Sequence, residues 1–411
     1  MMELKKKDPE IYKAILGELK RQQKGMELIA SENYVSQAVL EALGSVFTNK
    51  YSEGYPGRRY YGGQTYTDVV ESLAIERAKK IFGAEHINVQ PLSGAPANMI
   101  VYSAVLKPGD KVLGMDLSHG GHLTHGHPVT SSAKIYRFVR YKTGASGKID
   151  YDELEKMAVQ ERPKLILAGF SAYTRQIDYE KFRDIAEKVG AITMFDIAHI
   201  AGLVAGKAVP NPVPFFDIIT TTTHKTLRGP RGGMIMCRQQ FAEAIDKAVF
   251  PGFQGGPHMN NIAALAVALG EALKPSFRIY TKQVIKNAKV LEQELKKYGF
   301  KLMFGGTDNH MVLVDVFSSK GITGKNAEKA LDEIGITINK NMIPDDPRKP
   351  MDPSGVRIGV PAITTRGMKE KEIKIIANWI NSAIENHNDK KTLIKLRKDV
   401  IRLCKKFPLP S

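Results

Sequence analysis

Residues 217–233 read DIITTTTHKTLRGPRGG. The β-branched run at 218–223 predicts a strand, and the glycines beyond Lys225 predict that this strand ends there. A lysine at a strand end can attack an aldehyde when its amine is unprotonated, which requires burial or nearby positive charge. His224 and Arg228 could supply that charge. The alternative is an ordinary solvated lysine at the end of a strand.

Two upstream segments favour the nucleophilic lysine. Residues 192–199 (ITMFDIAH) predict a buried strand interrupted by Asp196, a carboxylate that is costly to bury without a cation such as a protonated pyridine nitrogen. Residues 88–98 (NVQPLSGAPAN) precede an apolar helical stretch at 99–106, so small residues stand where helix amides can bind a phosphate. These small residues are Ser93, Gly94 and Ala95. The three features together predict a pyridoxal phosphate site.

Length and cysteine content indicate the class of protein. The chain has 411 residues, enough for a large core and, by usual domain sizes, about two or three structural units. It has two cysteines, Cys237 and Cys404, no apolar run of membrane-spanning length, and a polar start without the apolar core of a signal peptide. We therefore expect a cytoplasmic protein with reduced thiols that does not associate with membranes.

The chain is strongly basic, with a formal charge of +17. Residues 389–411 hold eight Lys or Arg against two Asp, so this tail carries a sizeable part of the excess. Its basic residues alternate with apolar ones at helical spacing, which predicts an amphipathic helix at 390–406 packed on the body of the protein. A solvated basic face is the favoured interpretation, and nucleic acid binding is the less favoured one.

The order of strand-like and helix-like segments between residues 84 and 238 predicts an α/β fold with a mostly parallel sheet of seven strands. The predicted strands are 87–90, 111–115, 134–138, 165–168, 191–196, 218–221 and 233–237. Parallel α/β sheets bind ligands at the carboxyl ends of their strands. Ser93, His122, Ser171, Asp196 and Lys225 stand at or just beyond such ends.

The pattern changes after residue 275. A helix at 280–297 is followed by a strand at 310–316, a helix at 325–334, strands at 337–339 and 356–359, and a helix at 370–386, which predicts a small α+β unit. We therefore expect an N-terminal helical arm at 1–25, a large cofactor-binding domain at 26–275 and a small C-terminal domain at 276–411.

Several long motifs in one order resemble the serine hydroxymethyltransferase family, and the resemblance covers nearly the whole chain. The motifs are NKYSEGYPGRRYYGG, HGGHLTHG, DIAHIAGL and TTTTHKTLRGPRGG. The resemblance implies the aminotransferase-like fold type I and pyridoxal 5'-phosphate bound covalently to Lys225. It implies reversible transfer of the hydroxymethyl carbon of L-serine to tetrahydrofolate, giving glycine and 5,10-methylenetetrahydrofolate. It also implies an obligate homodimer, or a tetramer, with shared active sites.

The resemblance implies roles for individual residues. Lys225, Glu53, Asp196, His122 and Tyr61 are the expected catalytic residues, with Glu53 as proton shuttle at the substrate hydroxyl. The other expected cofactor contacts are Ser93, Gly94, Ala95, Ser171, His199, His224, Tyr51, Gly255 and Gly256. The last three would reach the phosphate across the dimer interface, where Glu53, Tyr60 and Tyr61 would also be supplied. For His199, a core histidine with one backbone hydrogen bond is the alternative.

Substrate and folate positions follow in the same way. Arg357 stands in a strand-like apolar run, where a guanidinium needs a partner. The resemblance makes that partner the substrate carboxylate, assisted by Ser31, and the alternative is a structural ion pair. Folate contacts are expected at Tyr60, Leu117, Gly121, Leu123 and Asn341.

Residues 119–127 contain four histidines, which suggests a metal site at first sight. The stretch offers no cysteine or carboxylate, and its glycines are typical of a loop that a flat ligand approaches closely. We therefore expect no metal here. By resemblance His122 stacks on the cofactor ring, and His119, His125 and His127 receive no role.

Four positions depart from the family pattern, namely Leu92, Pro96, Gln64 and Thr174. The first two flank the phosphate turn, so they bear on substrate identity more than on cofactor identity. The closest alternatives are an α-methylserine hydroxymethyltransferase and a threonine-type aldolase on the same scaffold. A non-catalytic RNA-binding relative is a more distant alternative, motivated by the positive charge.

Overall fold

The computed structural model describes residues 2–410 and contains a central sheet of seven strands. The strands are β1 His86–Asn88, β2 Lys111–Met115, β3 Arg137–Tyr141, β4 Leu165–Gly169, β5 Ile192–Asp196, β6 Ile218–Thr222 and β7 Gly233–Cys237. Their order across the sheet is β1-β7-β6-β5-β4-β2-β3, and only β7 runs against its neighbours. The predicted α/β fold with a mostly parallel sheet of seven strands is confirmed.

Helices cover this sheet and supply the N-terminal arm. In chain order they are α1 Met2–Lys7, α2 Pro9–Lys24, α3 Gln37–Leu43, α4 Thr65–Phe82, α5 Gly94–Val105, α6 Ser131–Ile135, α7 Tyr151–Glu161, α8 Tyr179–Val189, α9 Ala201–Ala205, α10 Ala242–Lys247 and α11 Met259–Ala272. Strands β4, β6 and β7 are buried along their whole length, as expected for the strands of a sheet that is covered by helices on both faces.

The strand predicted at 134–138 was wrong. Residues 134–138 do not form one strand, because α6 occupies Ser131–Ile135 and β3 starts only at Arg137. Thr130 precedes α6, and its side chain accepts a hydrogen bond from the backbone amide of Ala133. This cap satisfies a free amide of the first helical turn and so favours a helix over an extended chain.

A second sheet of four antiparallel strands follows in the C-terminal part. Its strands are β8 Lys301–Leu302, β9 Met311–Asp315, β10 Asn339–Asn341 and β11 Gly355–Gly359, in the order β8-β9-β11-β10. Its helices are α12 Pro275–Lys297, α13 Val316–Lys320, α14 Gly324–Glu333, α15 Pro361–Thr365, α16 Glu370–Glu385 and α17 Lys390–Lys406. The single strand predicted at 337–339 is wrong, because the chain changes partner there: Ile336–Thr337 pairs with Met26–Glu27, and β10 pairs with β11.

The division at residues 25/26 and 275/276 stays a prediction. The parallel pairing of Met26–Glu27 with Ile336–Thr337 joins the first residues of the predicted large domain to the predicted C-terminal domain, and so crosses the boundary at 275/276. Helix α2 has no buried side chain, and Ile11, Ile15 and Leu19 are exposed at a spacing of four residues. Residues 2–7 and 9–24 are helical, and within one chain the apolar stripe of α2 is left open to water.

The amphipathic helix predicted at 390–406 is confirmed as α17. Its buried residues are Leu393, Leu396, Val400 and Cys404, while its basic residues face outward or lie at the margin. Across residues 2–410, every helix is too short or too polar to cross a membrane.

Arg366, which follows α15, connects the C-terminal ends of α2 and α17 through hydrogen bonds. The guanidinium is buried and donates to the carbonyl oxygens of Gly25 at 2.7 Å, Phe407 at 2.7 Å and Cys404 at 3.0 Å. These carbonyl groups lie at helix ends, where intrahelical donors are missing. A positive charge is also favourable at the C-terminus of a helix.

Replacing Arg366 by Met should lower the free energy of unfolding by about 3 kcal/mol, because several buried carbonyl groups lose their donor. Urea unfolding of the two proteins would measure the difference. Arg402→Met is the matched control, since it removes only an exposed ion pair with Asp399 and should change stability by less than about 0.5 kcal/mol. Similar losses in both variants would contradict this role of Arg366.

Candidate active site

Lys225 lies three residues beyond the end of β6, in the loop that leads to β7. Its Nζ donates a hydrogen bond to Thr222 Oγ1 at 2.9 Å. The pKa of Lys225 is lowered to about 8, mainly because the amine is buried; Asp196 raises this pKa, and the positive charges of Arg357 and Arg231 lower it. Near neutral pH a substantial fraction of this amine is therefore unprotonated and able to attack an aldehyde.

The sources of charge expected for Lys225 are corrected by the structure. Burial lowers the pKa of His224 to about 3, so this ring is neutral, and its buried Nδ1 has no hydrogen-bond partner within residues 2–410. The guanidinium of Arg228 lies instead over the rings of Tyr280, at 4.6 Å, and Phe277, at 5.4 Å. Arg228 has a left-handed backbone, with φ of 59°, and its side chain packs on those two rings.

Asp196 ends β5 and is almost fully buried. Burial alone would raise its pKa, but hydrogen bonds from His125 and Asn98 bring the pKa below its ordinary value. Its carboxylate accepts from Asn98 Nδ2 at 2.8 Å, from the Ala198 amide at 3.0 Å and from His125 Nε2 at 3.3 Å. Within residues 2–410, no lysine or arginine forms an ion pair with it. A charged carboxylate of this kind favours a cationic ligand.

The turn before α5 lies against the ends of β6 and β7. A Cβ atom on Gly94 would come within 2.6 Å of Thr222 Cγ2, and one on Gly233 within 2.6 Å of the Ser93 carbonyl oxygen. The amide of Gly233 donates to the carbonyl of Pro91 at 2.9 Å. No side chain caps α5, so its first-turn amides remain available to an anion. Because Thr222 also binds Lys225, this anion site lies next to the amine.

Arg357 reaches the same region from β11. It is 9% exposed and donates to the carbonyl of Ser171 at 2.6 Å and to Asn339 Oδ1 at 3.0 Å. Burial lowers the pKa of Arg357 to about 10, so the group stays positive at neutral pH. No carboxylate in residues 2–410 forms a salt bridge with it, so the structural ion pair considered as an alternative is absent. The guanidinium is available to a ligand carboxylate.

Two histidines border the site. His122 Nδ1 lies 2.7 Å from Thr124 Oγ1, and burial lowers the pKa of His122 to about 4. His199 stacks on His310 with ring centres 5.4 Å apart and Nδ1 to Nε2 at 3.3 Å, and burial holds its pKa well below the usual range. Both rings of the site are therefore neutral. Sequence reasoning missed His310, because a single histidine before a strand looks like a core residue.

A second group of expected site residues lies together on an aromatic loop. Tyr51 donates to Glu53 Oε1 at 3.2 Å, and its ring meets that of Tyr61 edge-on at 5.2 Å. A Cβ atom on Gly255 would lie 3.1 Å from Glu53 Oε1, and one on Gly256 would lie 3.0 Å from the Tyr51 ring. Among the hydrogen bonds of residues 2–410, none joins this group to Lys225, Asp196 or Arg357.

The expected folate positions are only partly brought together. Leu117, Gly121 and Leu123 lie in the loop after β2, and His119 of that loop hydrogen-bonds through Nε2 to Asp345 Oδ1 at 3.4 Å. Asp345 follows β10, the strand that carries Asn341, so the two segments are neighbours. Tyr60 lies elsewhere, against Phe250 with ring centres 5.5 Å apart, and is 75% exposed.

Ser31 is placed by its chain neighbours. A Cβ atom on Gly359, at the end of β11, would lie 2.4 Å from Ala30 Cα, and Asn33 Nδ2 donates to the carbonyl of Lys225 at 3.0 Å. The half-buried Ser31 therefore stands between the strand of Arg357 and the loop of Lys225.

A sequence model of the family described as serine hydroxymethyltransferase matches residues 4–380. The chain is 58% identical over 407 residues to a serine hydroxymethyltransferase of Koribacter versatilis, covering 99% of this chain and 95% of that protein. It is 56% identical over 409 residues to one of Acidobacterium capsulatum, covering 99% and 96%. This chain belongs to the serine hydroxymethyltransferase family. The family resemblance that the motifs indicated, and the fold type that it implied, are thereby confirmed.

Pyridoxal phosphate is the cofactor of this family, with tetrahydrofolate as co-substrate. The described residues fit the cofactor. The Asp196 carboxylate lacks a cation that a pyridinium would supply, the open amides before α5 suit a phosphate, and the Lys225 amine is adjacent. His122, His125 and Asp196 have possible metal-ligand atoms within 4.8 Å of one another, but hydrogen bonds already use both nitrogens of His125 and Nδ1 of His122.

Three of the four departures from the family pattern make hydrogen bonds that help to anchor loops. Gln64 Nε2 donates to the carbonyl of Tyr51 at 3.0 Å, and Thr174 Oγ1 donates to the carbonyl of Gly306 at 2.5 Å. The amide of the exposed Leu92 donates to Gln254 Oε1 at 3.0 Å. Nothing in the structure explains Pro96.

The pKa of Lys225, about 8, predicts that cofactor-depleted protein binds pyridoxal phosphate faster as pH rises through 8, because the amine loses its proton. Arg357→Met removes a cation that lowers this pKa, so the rate profile should move to higher pH. Stopped-flow absorbance would follow binding. Arg228→Met is the matched control and should leave the profile in place. Equal displacement by both variants would contradict the assignment of the charges.

Proposed function

We propose that this chain catalyses the reversible transfer of the hydroxymethyl carbon of L-serine to tetrahydrofolate, giving glycine and 5,10-methylenetetrahydrofolate, with pyridoxal phosphate held covalently by Lys225. The observation that carries the proposal is the placement of a buried amine of lowered pKa in the same site as a buried carboxylate that forms no ion pair with a lysine or arginine of residues 2–410. Identity of more than half the chain with two proteins named serine hydroxymethyltransferase favours serine over α-methylserine or a threonine-type substrate.

The cofactor, when bound, supplies an electron sink for the bond that breaks at Cα of the amino acid. Lys225 is the nucleophile, and Asp196 keeps the ring nitrogen protonated. The amides of Ser93, Gly94 and Ala95 hold the phosphate, helped by Tyr51, Gly255 and Gly256 of a second subunit. His122 would offer a flat neutral face to the ring. Ser171 and His199 would lie near the 3-hydroxyl of the cofactor, and His224 would contact the cofactor beside Lys225.

Substrate binding is assigned to residues of the chain that carries Lys225 and to residues of the second subunit. Arg357 and Ser31 bind the carboxylate of serine, and Arg357 is suited to this because it is buried, charged and without a carboxylate of its own. Glu53 takes and returns the proton of the serine hydroxyl, and Tyr61 lies beside the substrate. Folate contacts are assigned to Tyr60, Leu117, Gly121, Leu123 and Asn341.

The working enzyme is proposed to be a homodimer, or a tetramer, in the cytoplasm. The aromatic loop supports this proposal, because Tyr51, Tyr60 and Tyr61 are 54%, 75% and 48% exposed in one chain while having no hydrogen bond to the site of Lys225. Three clustered aromatic side chains in water are typical of an interface. The open apolar stripe of α2 supports it further.

The Lys225→Ala variant tests the reaction directly. Wild-type protein reduced with borohydride should carry a pyridoxyl group on the peptide of Lys225, and should release glycine from L-serine only when reduced folate is present. The variant should lack both the adduct and the folate-dependent reaction, because no other amine is expected to take this place. Peptide mass analysis and glycine assay are the measurements. An adduct on a different lysine would overturn the proposal.

Mixing two inactive variants tests whether active sites are shared. Lys225→Ala retains Glu53, and Glu53→Gln retains Lys225, so a mixed dimer has one site with both residues intact. Random exchange of subunits should restore roughly a quarter of wild-type activity, since about half the dimers are mixed and each has one working site in two. Restoration would be absent if Glu53 served the site of its own chain.

A further inference from the structure

His125 contacts Asp196 from a fully buried position. Its Nδ1 lies 3.2 Å from the backbone nitrogen of His122, which can only donate, so Nδ1 is an acceptor. Its Nε2 lies 3.3 Å from Asp196 Oδ2, a carboxylate oxygen that accepts. These two partners fix the ring as the neutral form with its proton on Nε2. His125 therefore donates to Asp196 without having to be charged.

The backbone around His125 leaves room for this contact. A Cβ atom on Gly169, at the end of β4, would lie 2.9 Å from Asp196 Cβ and 3.1 Å from His125 Cε1. A Cβ atom on Gly114, in β2, would lie 2.9 Å from the carbonyl oxygen of His125. The φ of Gly169 is 142°, which also disfavours any other residue there. Two neighbouring strands thus carry glycine where the histidine packs.

A second donor reaches the same carboxylate. Asn98 Oδ1 accepts from the hydroxyl of Thr220 at 2.6 Å, which orients the amide so that its Nδ2 donates to Asp196 Oδ2 at 2.8 Å and to Thr124 Oγ1 at 2.9 Å. The hydroxyl of Thr124 is then free to donate to His122 Nδ1 at 2.7 Å. Each hydrogen bond of this network therefore has a defined donor, and the network ends in donors to Asp196 and to His122.

This network uses part of the capacity of the carboxylate. A carboxylate offers about four acceptor positions. Asn98, His125 and the Ala198 amide occupy three of them, which leaves about one for a further donor. Every donor favours the charged form of Asp196, in agreement with its lowered pKa.

We propose that His125 is a positioning residue of this enzyme, whose Nε2–H holds the Asp196 carboxylate in place for the ring nitrogen of the cofactor. The inference rests on the proposed function, because it assigns that nitrogen to Asp196. His125 itself acts through Asp196 and does not touch the cofactor.

Two variants separate the two hydrogen bonds of His125. In His125→Gln the side-chain amide nitrogen can take the place of Nε2 and donate to Asp196. In His125→Asn the shorter side chain can accept from the His122 amide, as Nδ1 does, but does not reach Asp196. A role in fixing Asp196 is therefore retained by Gln and lost in Asn, whereas a role limited to holding the loop is retained by Asn and lost in Gln.

The measurement is the dissociation constant of pyridoxal phosphate for cofactor-depleted, full-length protein, determined by absorbance titration. His125→Asn should raise this constant about tenfold or more, the usual effect of losing a hydrogen bond to a charged group, and His125→Gln should raise it less than about threefold. In the reconstituted enzymes, His125→Asn should lower kcat with little change in the KM for L-serine. Urea unfolding of both depleted variants shows whether the loop is intact.

A dissociation constant for His125→Asn equal to that of wild type would overturn the inference, and so would a loss in His125→Gln as large as that in His125→Asn. Borohydride trapping of wild-type protein distinguishes failure of the proposed function. If wild type carries no adduct on Lys225, the proposed function fails. If it carries the adduct while the two variants bind the cofactor equally well, only the role of His125 fails.

Discussion

Three charged groups are buried in one site without pairing with one another, and this constraint shapes the centre of the molecule. The Asp196 carboxylate and the Arg357 guanidinium both affect the pKa of the Lys225 amine, so the three groups interact electrostatically. Within residues 2–410, however, none of the three forms an ion pair with another of them. Burial disfavours each charge, so hydrogen bonds with neutral groups must offset the cost. The protein therefore keeps its charges available for a ligand instead of neutralising them internally.

The sheet makes this arrangement possible. Strands β5 and β6 are parallel neighbours, so Asp196 and the loop of Lys225 come to one edge of the sheet. The turn before α5 joins them because Gly94 and Gly233 let backbone segments approach where any side chain would clash. Arg357 arrives from the smaller sheet, held by the carbonyl of Ser171 from the larger one. The site thus lies between two sheets, with each contributing groups that the other lacks.

Much of the fold followed from local sequence. The strands β2 and β7 have the predicted bounds, because apolar runs flanked by turn residues leave little choice of register. Residues 134–138 could not be placed, because a single hydroxyl cap at Thr130 decided between helix and strand. The prediction that His224 and Arg228 supply positive charge near Lys225 was also wrong. Arg357 is 132 positions away in sequence, and no local pattern indicates such a neighbour.

The sequence alone determined which reactive and binding groups are present. These are a lysine after a β-branched run, an aspartate inside a strand and a turn of small residues, together with motifs shared with one family. These features are local, so their spacing is visible along the chain. The tertiary structure decided which groups are charged, which donors fix Asp196, and that no hydrogen bond joins the aromatic loop to Lys225 within residues 2–410 of one chain. Protonation and hydrogen bonding depend on burial and on partners distant in sequence, and only the folded chain brings those partners together.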